Sequence, residues 1–573
     1  MKKITFGMPE TDVPSKFCKR FSYKEMQIKY PVEKITFKVN SRGCRIEFPL
    51  SADEHIYGLG LQLNAFDLRK KKMVLRVNSD PTTPTGDSHA PVPFFVSTKG
   101  YGIYIDSARY IEYDFGAVKA KSRGSKTDGR IAVSIDELYG ERNDSGEEVI
   151  AVQIPVAKGA DIYIIEGRNI TEVVSRYNML SGGGCHVPEW GLEPFYRCCS
   201  KYTQTQVIDT AEYFRKNDID CGILGLEPGW QTHAYSCSFI WNRKLYPEPE
   251  KMLRKLKDMG FHVNLWEHAF THESSPLYPT VAKSCGDYKV FGGVVPDFTN
   301  EDVCDAFAAY HRENVMYGIV DGFKLDECDS SDFIKTAWSF PLCSEFPGGL
   351  DGEQYHSLFG VLYMQTMMKA LGDTETFSEV RNAGALSSSY PFVLYSDLYD
   401  HKNFIRGLAT AGFSGLLWTP EVRHAESAED FIRRLQTVVY SPQCLINGWY
   451  CEKLPWLNHG CEDNVKKLLQ ERKRIIPELK RAFDKYNKTG IPPVRALVSD
   501  FSQDAETYGI DDEYLFCDDY LVAPMVKGEK SRKVYLPDGK WVEIHSSRTY
   551  SGGWITEETD EIPVYRKTEQ KTE

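Results

Sequence analysis

The sequence lacks the features that would place it in several large classes of protein. It has no run of about 18 apolar residues, so it predicts no membrane-spanning helix. Basic residues are in deficit, with 69 Lys and Arg against 81 Asp and Glu. The formal charge of −12 argues against a nucleic-acid partner, whose phosphates need a clustered basic surface. Neither a Gly-x-Ser-x-Gly elbow nor a Gly-rich phosphate loop occurs.

Metal-binding patterns are scarce as well. None of the 15 cysteines forms a C-x-x-C pair, and histidine contributes only 13 residues. His268 and His272 have the i, i+4 spacing of a helical metal site, but no third ligand accompanies them in the sequence. We therefore expect neither a metal nor an organic cofactor.

The N-terminus and the cysteines bear on location. The opening MKKITFGMPETDVPSKF has two lysines but no apolar stretch behind them, so it does not read as a secretory signal. An odd number of cysteines in a chain of 573 residues fits reduced thiols better than a disulfide framework. We expect a cytoplasmic protein that contacts no membrane, and the oligomeric state is not indicated.

Three kinds of pattern follow one another along the chain. Short alternating runs (KITFKVN, CRIEFPL, PVPFFVS, YGIYID, RIAVSI and DIYIIEG) predict an N-terminal β-sandwich domain over residues 1–185. The Gly-rich segment 181–184 is a plausible joint. After residue 488 the runs YLFCDDYLVAPMV, KVYLPDG and WVEIHS predict a small C-terminal β domain over 489–573.

Between these parts, strand-like runs alternate with amphipathic helical ones. The eight strand-like runs are EPFYRCC, CGILGLEPGW, HVNLWEHAF, DGFKLDEC, TFSEV, FVLYSD, GLLWTPEV and CLINGW. Their number and rhythm predict a catalytic (β/α)8 TIM barrel over residues 186–488, in an α/β protein. A doubly wound open sheet is the alternative, but it would carry a Gly-rich turn after its first strand, and none is present.

Carboxylates and tryptophans gather at the predicted ends of the barrel strands, where such barrels hold their catalytic groups. These positions are occupied by Glu227, Trp230, Trp266, Glu267, His268, Asp326, Glu327, Asp397, Asp400, Trp418, Glu421 and Asn447. Hydrolysis of a glycosidic bond needs such a set, with two carboxyl groups flanking the anomeric carbon and aromatic walls around the sugar. One strand-end acid alone is often only a loop cap, so the set as a whole indicates this chemistry.

Five segments carry a family resemblance. GFKLDECD contains Asp326, and RNAGALSSSYPFVLYSD runs from Arg381 to Asp397. The others are FIWNRKLYPEPEKMLRKLKDMGFHVNLW, YLFCDDYLVAPMV and VYLPDGKWVEIHSSRTYSGG. In the order in which they follow one another along the chain, they resemble glycoside hydrolase family 31, the family of α-glucosidases, α-xylosidases and certain α-galactosidases, from about residue 55 to about residue 555. The chain departs from the family pattern at Asn242, where the family has Asp, and at Asp329, where it often has Glu.

The resemblance implies roles for particular residues. Asp326, two residues after Lys324, corresponds to the family's nucleophile, and Asp397 corresponds to its acid/base. Tyr-Ser-Asp replaces the family's Trp-Ser-Gly-Asp, but the GLATAGFSG that follows supports Asp397 over Asp400. Arg381 is expected either to hold ring hydroxyls or the acid/base loop, or to form a structural ion pair.

Two departures bear on the sugar. Gly225 stands where family α-glucosidases carry the Asp that holds the equatorial O4 of glucose, with Glu227 as the second acid. Asn447 replaces a His in the last strand. Without the first Asp, polar groups of glucose would be left unpaired. Galactose, with an axial O4, has one apolar ring face, which suits Trp230 and Trp266.

GLEPGW, LWEHAF and TGDSHAPVPF, the last containing Asp87, resemble the α-galactosidase branch of the family. We therefore expect an α-galactosidase acting on a small oligosaccharide or glycoside. The expected substrate-binding residues are Glu227, Trp230, Trp266, Lys324, Arg381, Trp418, Asn447 and Asp87. The alternatives are an α-glucosidase, α-xylosidase or α-N-acetylgalactosaminidase of the same family, an intracellular transglycosidase, and a non-catalytic sugar-binding protein.

The resemblance also implies a double-displacement mechanism. Asp326, ionised, attacks the anomeric carbon, while Asp397 protonates the leaving oxygen. We expect a dry environment to keep Asp397 protonated. Asp397 then acts as base on water, and two inversions retain the α configuration. Because a non-catalytic relative would be free to lose either carboxylate, the presence of both favours an enzyme.

Overall fold

Two β-sheets form the N-terminal part of the chain. They are antiparallel except for one pair of strands, Lys72–Val77 and Asp87–Ser88, which is parallel. The computed structural model describes residues 1–119, 148–329 and 338–568, and the predicted strand RIAVSI lies outside them. The strands are β1 (Lys2–Met8), β2 (Thr36–Asn40), β3 (Gly43–Pro49), β4 (Ile56–Gly58), β5 (Lys72–Val77), β6 (Asp87–Ser88), β7 (Phe94–Ser97), β8 (Tyr101–Asp106), β9 (Ile111–Lys119), β10 (Glu148–Pro155) and β11 (Lys158–Glu166). Their orders are β1-β11-β8-β7-β4 and β2-β3-β10-β9-β5-β6.

The first of these sheets is covered on both faces. Along β8, Ile103 and Ile105 pack into the core between the two sheets, whereas Tyr104 between them packs into the core of the barrel. Successive side chains of a strand point to opposite faces, so a strand with two covered faces reads as continuously apolar. This is why the run YGIYID is buried at every position.

Parallel strands of the middle part form the barrel. They are β12 (Pro194–Arg197), β13 (Ile223–Leu226), β14 (His262–Glu267), β17 (Gly322–Leu325), β18 (Ser378–Val380), β19 (Phe392–Leu394), β20 (Glu421–Val422) and β21 (Cys444–Asn447). Their order is β19-β18-β17-β14-β13-β12-β21-β20. A parallel bridge between Leu394 and Trp418 joins the two ends and closes the barrel. A hairpin of β15 (Cys285–Val290) and β16 (Gly293–Pro296) lies in the connection after β14.

Helices connect the barrel strands, and further helices precede and follow the barrel along the chain. They are α1 (Pro14–Phe17), α2 (Ile170–Asn178), α3 (Gln204–Lys216), α4 (Pro249–Asp258), α5 (Tyr278–Val281), α6 (Glu301–Tyr310), α7 (Gly352–Leu371), α8 (His401–Ala411), α9 (Ala428–Val439), α10 (Glu462–Thr489) and α11 (Leu497–Asp500). Thr203 and Asp351 form capping boxes that start α3 and α7. The Asp400 carboxylate accepts the backbone N–H of Asn403 and starts α8.

A further pair of sheets follows the barrel. The strands are β22 (Val494–Ala496), β23 (Tyr514–Phe516), β24 (Tyr520–Val522), β25 (Ser531–Leu536), β26 (Lys540–Glu543), β27 (Thr549–Tyr550), β28 (Gly553–Glu558) and β29 (Val564–Thr568). Six of them pair in the order β22-β23-β24-β29-β26-β27, and β25 pairs with β28. The apolar core of the barrel is continuous with buried residues of both β parts, among them Phe94 and Phe516.

The predicted fold class is confirmed: a TIM barrel lies between an N-terminal and a C-terminal β domain. The boundaries at 185/186 and 488/489 stay predictions. In the described part of the chain, no helix is both long enough and apolar enough to cross a membrane. All 15 cysteines are free thiols.

Candidate active site

The predicted catalytic residues meet at one face of the barrel. Asp326 follows β17, Arg381 follows β18 and Asp397 lies three residues beyond β19. Trp266 is the next-to-last residue of β14. Parallel barrel strands present their C-terminal ends on one face, so neighbouring strands bring these side chains together.

Hydrogen bonds fix the Asp326 carboxylate. Trp266 Nε1 donates to Oδ2 at 2.6 Å, and the backbone N–H of Glu327 donates to Oδ1 at 2.9 Å. The backbone N–H of Asp326 itself donates to the carbonyl of Glu267 at 2.8 Å. A carboxylate held on both oxygens has one orientation, which a reacting group at a strand end requires.

The surroundings of Asp326 keep it ionised. Burial acts to raise the pKa of the carboxyl, but the charges of Lys324 and Arg381, with hydrogen bonds from Tyr395 and Trp266, outweigh it and hold the pKa below its usual value. A nucleophile needs this form, because the negatively charged carboxylate is much more nucleophilic than the neutral acid.

Glu327 is a third carboxyl group in the site; it was named among the strand-end residues but was given no role. It adopts a left-handed φ of 57° directly after Asp326. Burial, and then the charge of Asp326, raises the pKa of Glu327 well above its usual value. The two adjacent carboxyl groups therefore differ electrostatically: the pKa of Asp326 is held low and that of Glu327 is raised.

One buried guanidinium group joins the carboxylates of the site. Arg381 Nη1 lies 3.1 Å from Asp397 Oδ2, and Arg381 Nε lies 3.8 Å from Asp326 Oδ1. The same group reaches Asp329 Oδ2 at 3.0 Å and Asp80 Oδ1 at 3.4 Å. Arg381 thus places one cation beside both predicted catalytic carboxylates.

The environment of Asp397 differs from the dry one that we expected. Its side chain is 58% exposed and is paired with Arg381. The physical reason is its place on an open loop after β19, where only Arg381 and the backbone contact to Arg423 hold it. Asp400, the alternative to Asp397, caps α8 by accepting the N–H of Asn403 at 2.8 Å.

Charged groups fill the barrel beneath the site. Arg197 is fully buried and donates from Nη1 to Glu227 Oε1 at 2.8 Å and from Nε to Glu379 Oε2 at 3.0 Å. Lys324 Nζ lies 3.6 Å from the same oxygen of Glu227. Sequence reasoning missed Arg197, because nothing in the run EPFYRCC distinguishes an inward arginine from an outward one.

At the last two strands, Asn447 Nδ2 donates to Glu421 Oε2 at 2.9 Å, and both residues are buried. Glu421 also lies 3.2 Å from Arg423 Nε. The amide that replaces the family's His is therefore held by a carboxylate beside the site.

The predicted tryptophans do not offer open faces to a sugar. Trp230 and Trp418 are buried, and their indole N–H groups donate to the carbonyls of Trp266 at 2.6 Å and Phe404 at 3.2 Å. Trp266 is buried as well, with its N–H on Asp326. Trp230 and Trp418 are packing residues, because strand-end residues can turn outward into the shell between strands and helices. Trp266 reaches the site through its N–H.

From the N-terminal part, the structure brings Asp80 to the site and not Asp87. Asp87 lies in β6, where Arg76 Nε donates to it at 2.6 Å and Asn78 Nδ2 at 3.0 Å. Asp80 contacts Arg381 and lies 3.2 Å from His89 Nε2. The loop holds two aspartates seven residues apart, and the sequence alone did not tell which one faces the barrel.

The His268–His272 pair does not form a metal site. Burial lowers the pKa of His268 to about 3, and this ring packs between Trp266 and Phe291. His272 instead stacks on His233 with ring centroids 3.7 Å apart. Within the described ranges, no three His, Cys, Asp or Glu side chains are grouped to hold a metal ion.

Comparisons with known proteins agree with this architecture. The family model of the glycosyl hydrolases family 31 TIM-barrel domain matches residues 185–482. The family 31 C-terminal domain matches 490–570, and the N-terminal galactose mutarotase-like domain matches 21–114.

Individual relatives are distant. The chain is 23% identical to an α-xylosidase of Emericella nidulans over 90% of its own length and 66% of that protein's, so it spans about two thirds of that relative. It is 24% identical to an α-glucosidase of Saccharolobus solfataricus, covering 91% and 79% of the two chains. The structure of a dextranase from Flavobacterium johnsoniae superposes with a TM-score of 0.80 at 22% identity, covering 93% of this chain and 67% of the other. At such identities the structural likeness speaks for the fold alone.

Proposed function

Since the chain belongs to glycoside hydrolase family 31, we propose that it is a retaining α-glycosidase with Asp326 as nucleophile and Asp397 as acid/base. The observation that carries the proposal is the contact of both carboxylates with one guanidinium group, that of Arg381, on the catalytic face of the barrel. Retaining enzymes need two carboxyl groups close together, and a shared cation holds these two near each other.

In the first step, a carboxylate electron pair of Asp326 forms a bond to the anomeric carbon as the bond to the leaving oxygen breaks. Asp397 gives its proton to that oxygen, and a β-linked glycosyl ester results. In the second step Asp397 takes a proton from water, whose oxygen displaces Asp326 and restores the α configuration.

For the sugar, we propose an α-galactoside. A side chain at Gly225 would place its Cβ 2.8 Å from Arg197 Nη1, so a carboxylate at this position, where family α-glucosidases hold O4 of glucose, would displace the Arg197 side chain. A second difference from the family α-glucosidases lies at the last two strands, where Asn447 replaces a His and is held by Glu421. The buried Trp230 and Trp266 no longer support this choice. An α-xyloside is the second candidate, because the α-xylosidase of Emericella nidulans is among the relatives.

A panel of nitrophenyl α-glycosides of galactose, N-acetylgalactosamine, glucose and xylose tests the proposal. We expect the galactoside to have the highest kcat/KM and NMR to detect the α-anomer as the first product. Faster cleavage of the xyloside or glucoside would show that galactose is not the preferred sugar, and it would leave the proposed mechanism intact. A β-anomer as first product would contradict retention, and no cleavage of any glycoside would favour the non-catalytic sugar-binding alternative.

Lys324→Met should move the acid limb of kcat/KM to higher pH. The positive charge of Lys324 is the strongest influence that lowers the pKa of Asp326 against burial. Without it the pKa of Asp326 rises, so the nucleophile takes up a proton, and activity falls, at a higher pH than in the wild type. The measurement is kcat/KM against pH with an activated aryl glycoside.

Lys251→Met is the matched control, because Lys251 is exposed on α4 and pairs only with Glu248. Its acid limb should coincide with that of the wild type. An acid limb of Lys324→Met that stays in place or moves to lower pH would show that Lys324 does not act through the charge of Asp326.

For location, we keep the proposal of a reducing, cytoplasmic compartment, which the 15 free thiols support.

A further inference from the structure

The loop that carries Asp397 leaves its carboxylate open to solvent and anchors the residue before it. The side chain of Asp397 is 58% exposed and pairs with Arg381 Nη1 at 3.1 Å. Its neighbour Ser396 is buried, and the hydroxyl of Ser396 accepts the backbone N–H of Leu398 at 3.1 Å. Because Ser396 and Leu398 flank Asp397, the group that holds this hydroxyl also fixes the course of the backbone through Asp397.

His89, which directly follows β6, contacts that hydroxyl. Its Nε2 lies 3.0 Å from Ser396 Oγ, although 307 residues separate the two in sequence. A hydroxyl can donate or accept a hydrogen bond, so the two atoms can pair whichever ring nitrogen of His89 carries the proton. Both residues are buried, so water does not compete for this contact.

The ring of His89 is itself held between the N-terminal part and the barrel. The backbone N–H of Asp80 donates to Nε2 at 3.1 Å, and Asp80 Oδ1 lies 3.2 Å from the same nitrogen. Asp329 Oδ2, from the barrel, lies 3.9 Å from it. Asp80 and Asp329 both contact Arg381. The contacts of His89 therefore link the surroundings of Arg381 to the backbone next to Asp397.

The other ring nitrogen of His89 indicates that stability alone does not account for this residue. Among the residues that the structure describes, the buried Nδ1 has no hydrogen-bond partner. A buried polar atom without a partner lowers the stability of the folded state, and an apolar side chain of similar size would avoid that cost. We therefore look for the benefit of His89 at Nε2, where it contacts Ser396.

We infer that His89 is a positioning residue for the acid/base: it acts through Ser396 to hold the backbone that presents Asp397 to the leaving oxygen. This inference rests on the proposed glycosidase function. A carboxylate on an open loop needs a fixed backbone, because a displacement of about 1 Å can lower a rate on the order of 100-fold. Loss of His89 should therefore impair the steps that use Asp397 and spare the attack by Asp326.

The test compares the methyl and nitrophenyl α-glycosides of one sugar, since only the methyl glycoside needs a proton from Asp397 to leave. His89→Ala should lower kcat/KM for the methyl glycoside by about 10–100-fold and that for the nitrophenyl glycoside by no more than about twofold. With the nitrophenyl glycoside kcat should still fall, because the second step needs Asp397 as base. His89→Gln, which keeps a hydrogen-bonding amide near the position of Nε2, should recover most of the loss.

Ser396→Ala separates the contact to Ser396 from the contact to Asp80, which it leaves in place. Alone it should show the same difference between the two substrates. The double variant of His89→Ala and Ser396→Ala should be no slower than the slower single variant, because both changes remove one contact. Additive losses, or wild-type rates in Ser396→Ala, would overturn the inference. Equal losses of His89→Ala on both substrates would also overturn it, since they would make His89 a residue of the fold alone.

His186→Ala is the matched control, because the side chain of His186 is 53% exposed and pairs with Glu375. It should leave both rates unchanged, and thermal unfolding should show that all variants are folded. A fall of both rates in His186→Ala as large as in His89→Ala would overturn the assignment of a specific role to His89.

Hydrogen–deuterium exchange of peptides that contain Leu398 gives a measurement that needs no activity, because the N–H of Leu398 bonds to Ser396. Exchange should be faster in His89→Ala than in the wild type and should return toward the wild-type rate in His89→Gln. If the wild type cleaves no glycoside, the proposed function fails, and this measurement alone then decides whether His89 holds the loop. Unchanged exchange in His89→Ala would overturn the inference.

Discussion

Asp326→Ala is expected to lower kcat on every cleaved glycoside by on the order of 10⁴-fold or more, because the covalent ester cannot form without the carboxylate. The indole N–H of Trp266 and the backbone N–H of Glu327 would then lose the carboxylate that accepts their hydrogen bonds. Neighbouring Glu327 should not replace it, since burial, the largest cause of its raised pKa, still favours the neutral acid, which is the weaker nucleophile. The measurement is kcat with nitrophenyl α-glycosides, with protein purified free of wild type.

Azide provides the control for this variant. With an activated aryl α-glycoside, azide can enter where the carboxylate was, form a bond to the anomeric carbon and expel the aryl oxide. The product should be the β-glycosyl azide, and activity should rise with azide concentration. An α-glycosyl azide, or residual activity of several per cent without azide, would assign the nucleophile to another group.

Asp397→Ala is expected to lower kcat/KM by about 10²–10⁴-fold for substrates with poor leaving groups, since these need the proton. For nitrophenyl glycosides kcat/KM should change little, because an aryl oxide leaves without protonation. Their kcat should still fall, because the ester then accumulates for want of the base that activates water. The measurement is a plot of log kcat/KM against leaving-group pKa, which should become much steeper in the variant.

The control for Asp397 is Asp400→Ala, three residues along the same loop. Its carboxylate caps α8, so its loss should cost about 1 kcal/mol of stability and leave the leaving-group dependence unchanged. If Asp400→Ala steepens the plot and Asp397→Ala does not, the acid/base is Asp400. Equal losses of Asp397→Ala on all leaving groups would make Asp397 a residue that positions Arg381.

The barrel could be predicted because its signals are local. The run GFKL is short, ends directly before Asp326, and precedes the 20-residue helix α7, so strand, strand end and helix are each visible in sequence. Strand β1 was not predicted, because KKITFGM is charged and partly exposed and gains its place by pairing with β11, more than 150 residues away. Pairing between strands so far apart in the chain produces no recognisable pattern in the local sequence.

For the site, motifs identified the residues but not their orientation. Lys324, Arg381 and both aspartates lie where the segments implied. Burial of Trp230 and Trp418 depends on whether a strand-end side chain turns toward the barrel axis or toward the helices, which sequence spacing does not fix. The cluster of Tyr235, Phe291 and Trp338 was not predicted, because the three rings come from three separate loops and only folding brings them together.

The reach of Asp80 into the barrel means that the catalytic unit is not interchangeable as a module. Asp80, in the connection between β5 and β6, contacts Arg381, and His89, directly after β6, lies 3.0 Å from Ser396, the neighbour of Asp397. An excised barrel would lose one wall of its own site. Exchanging the N-terminal sheets for those of a relative would therefore also change the side chains that contact Arg381 and Ser396.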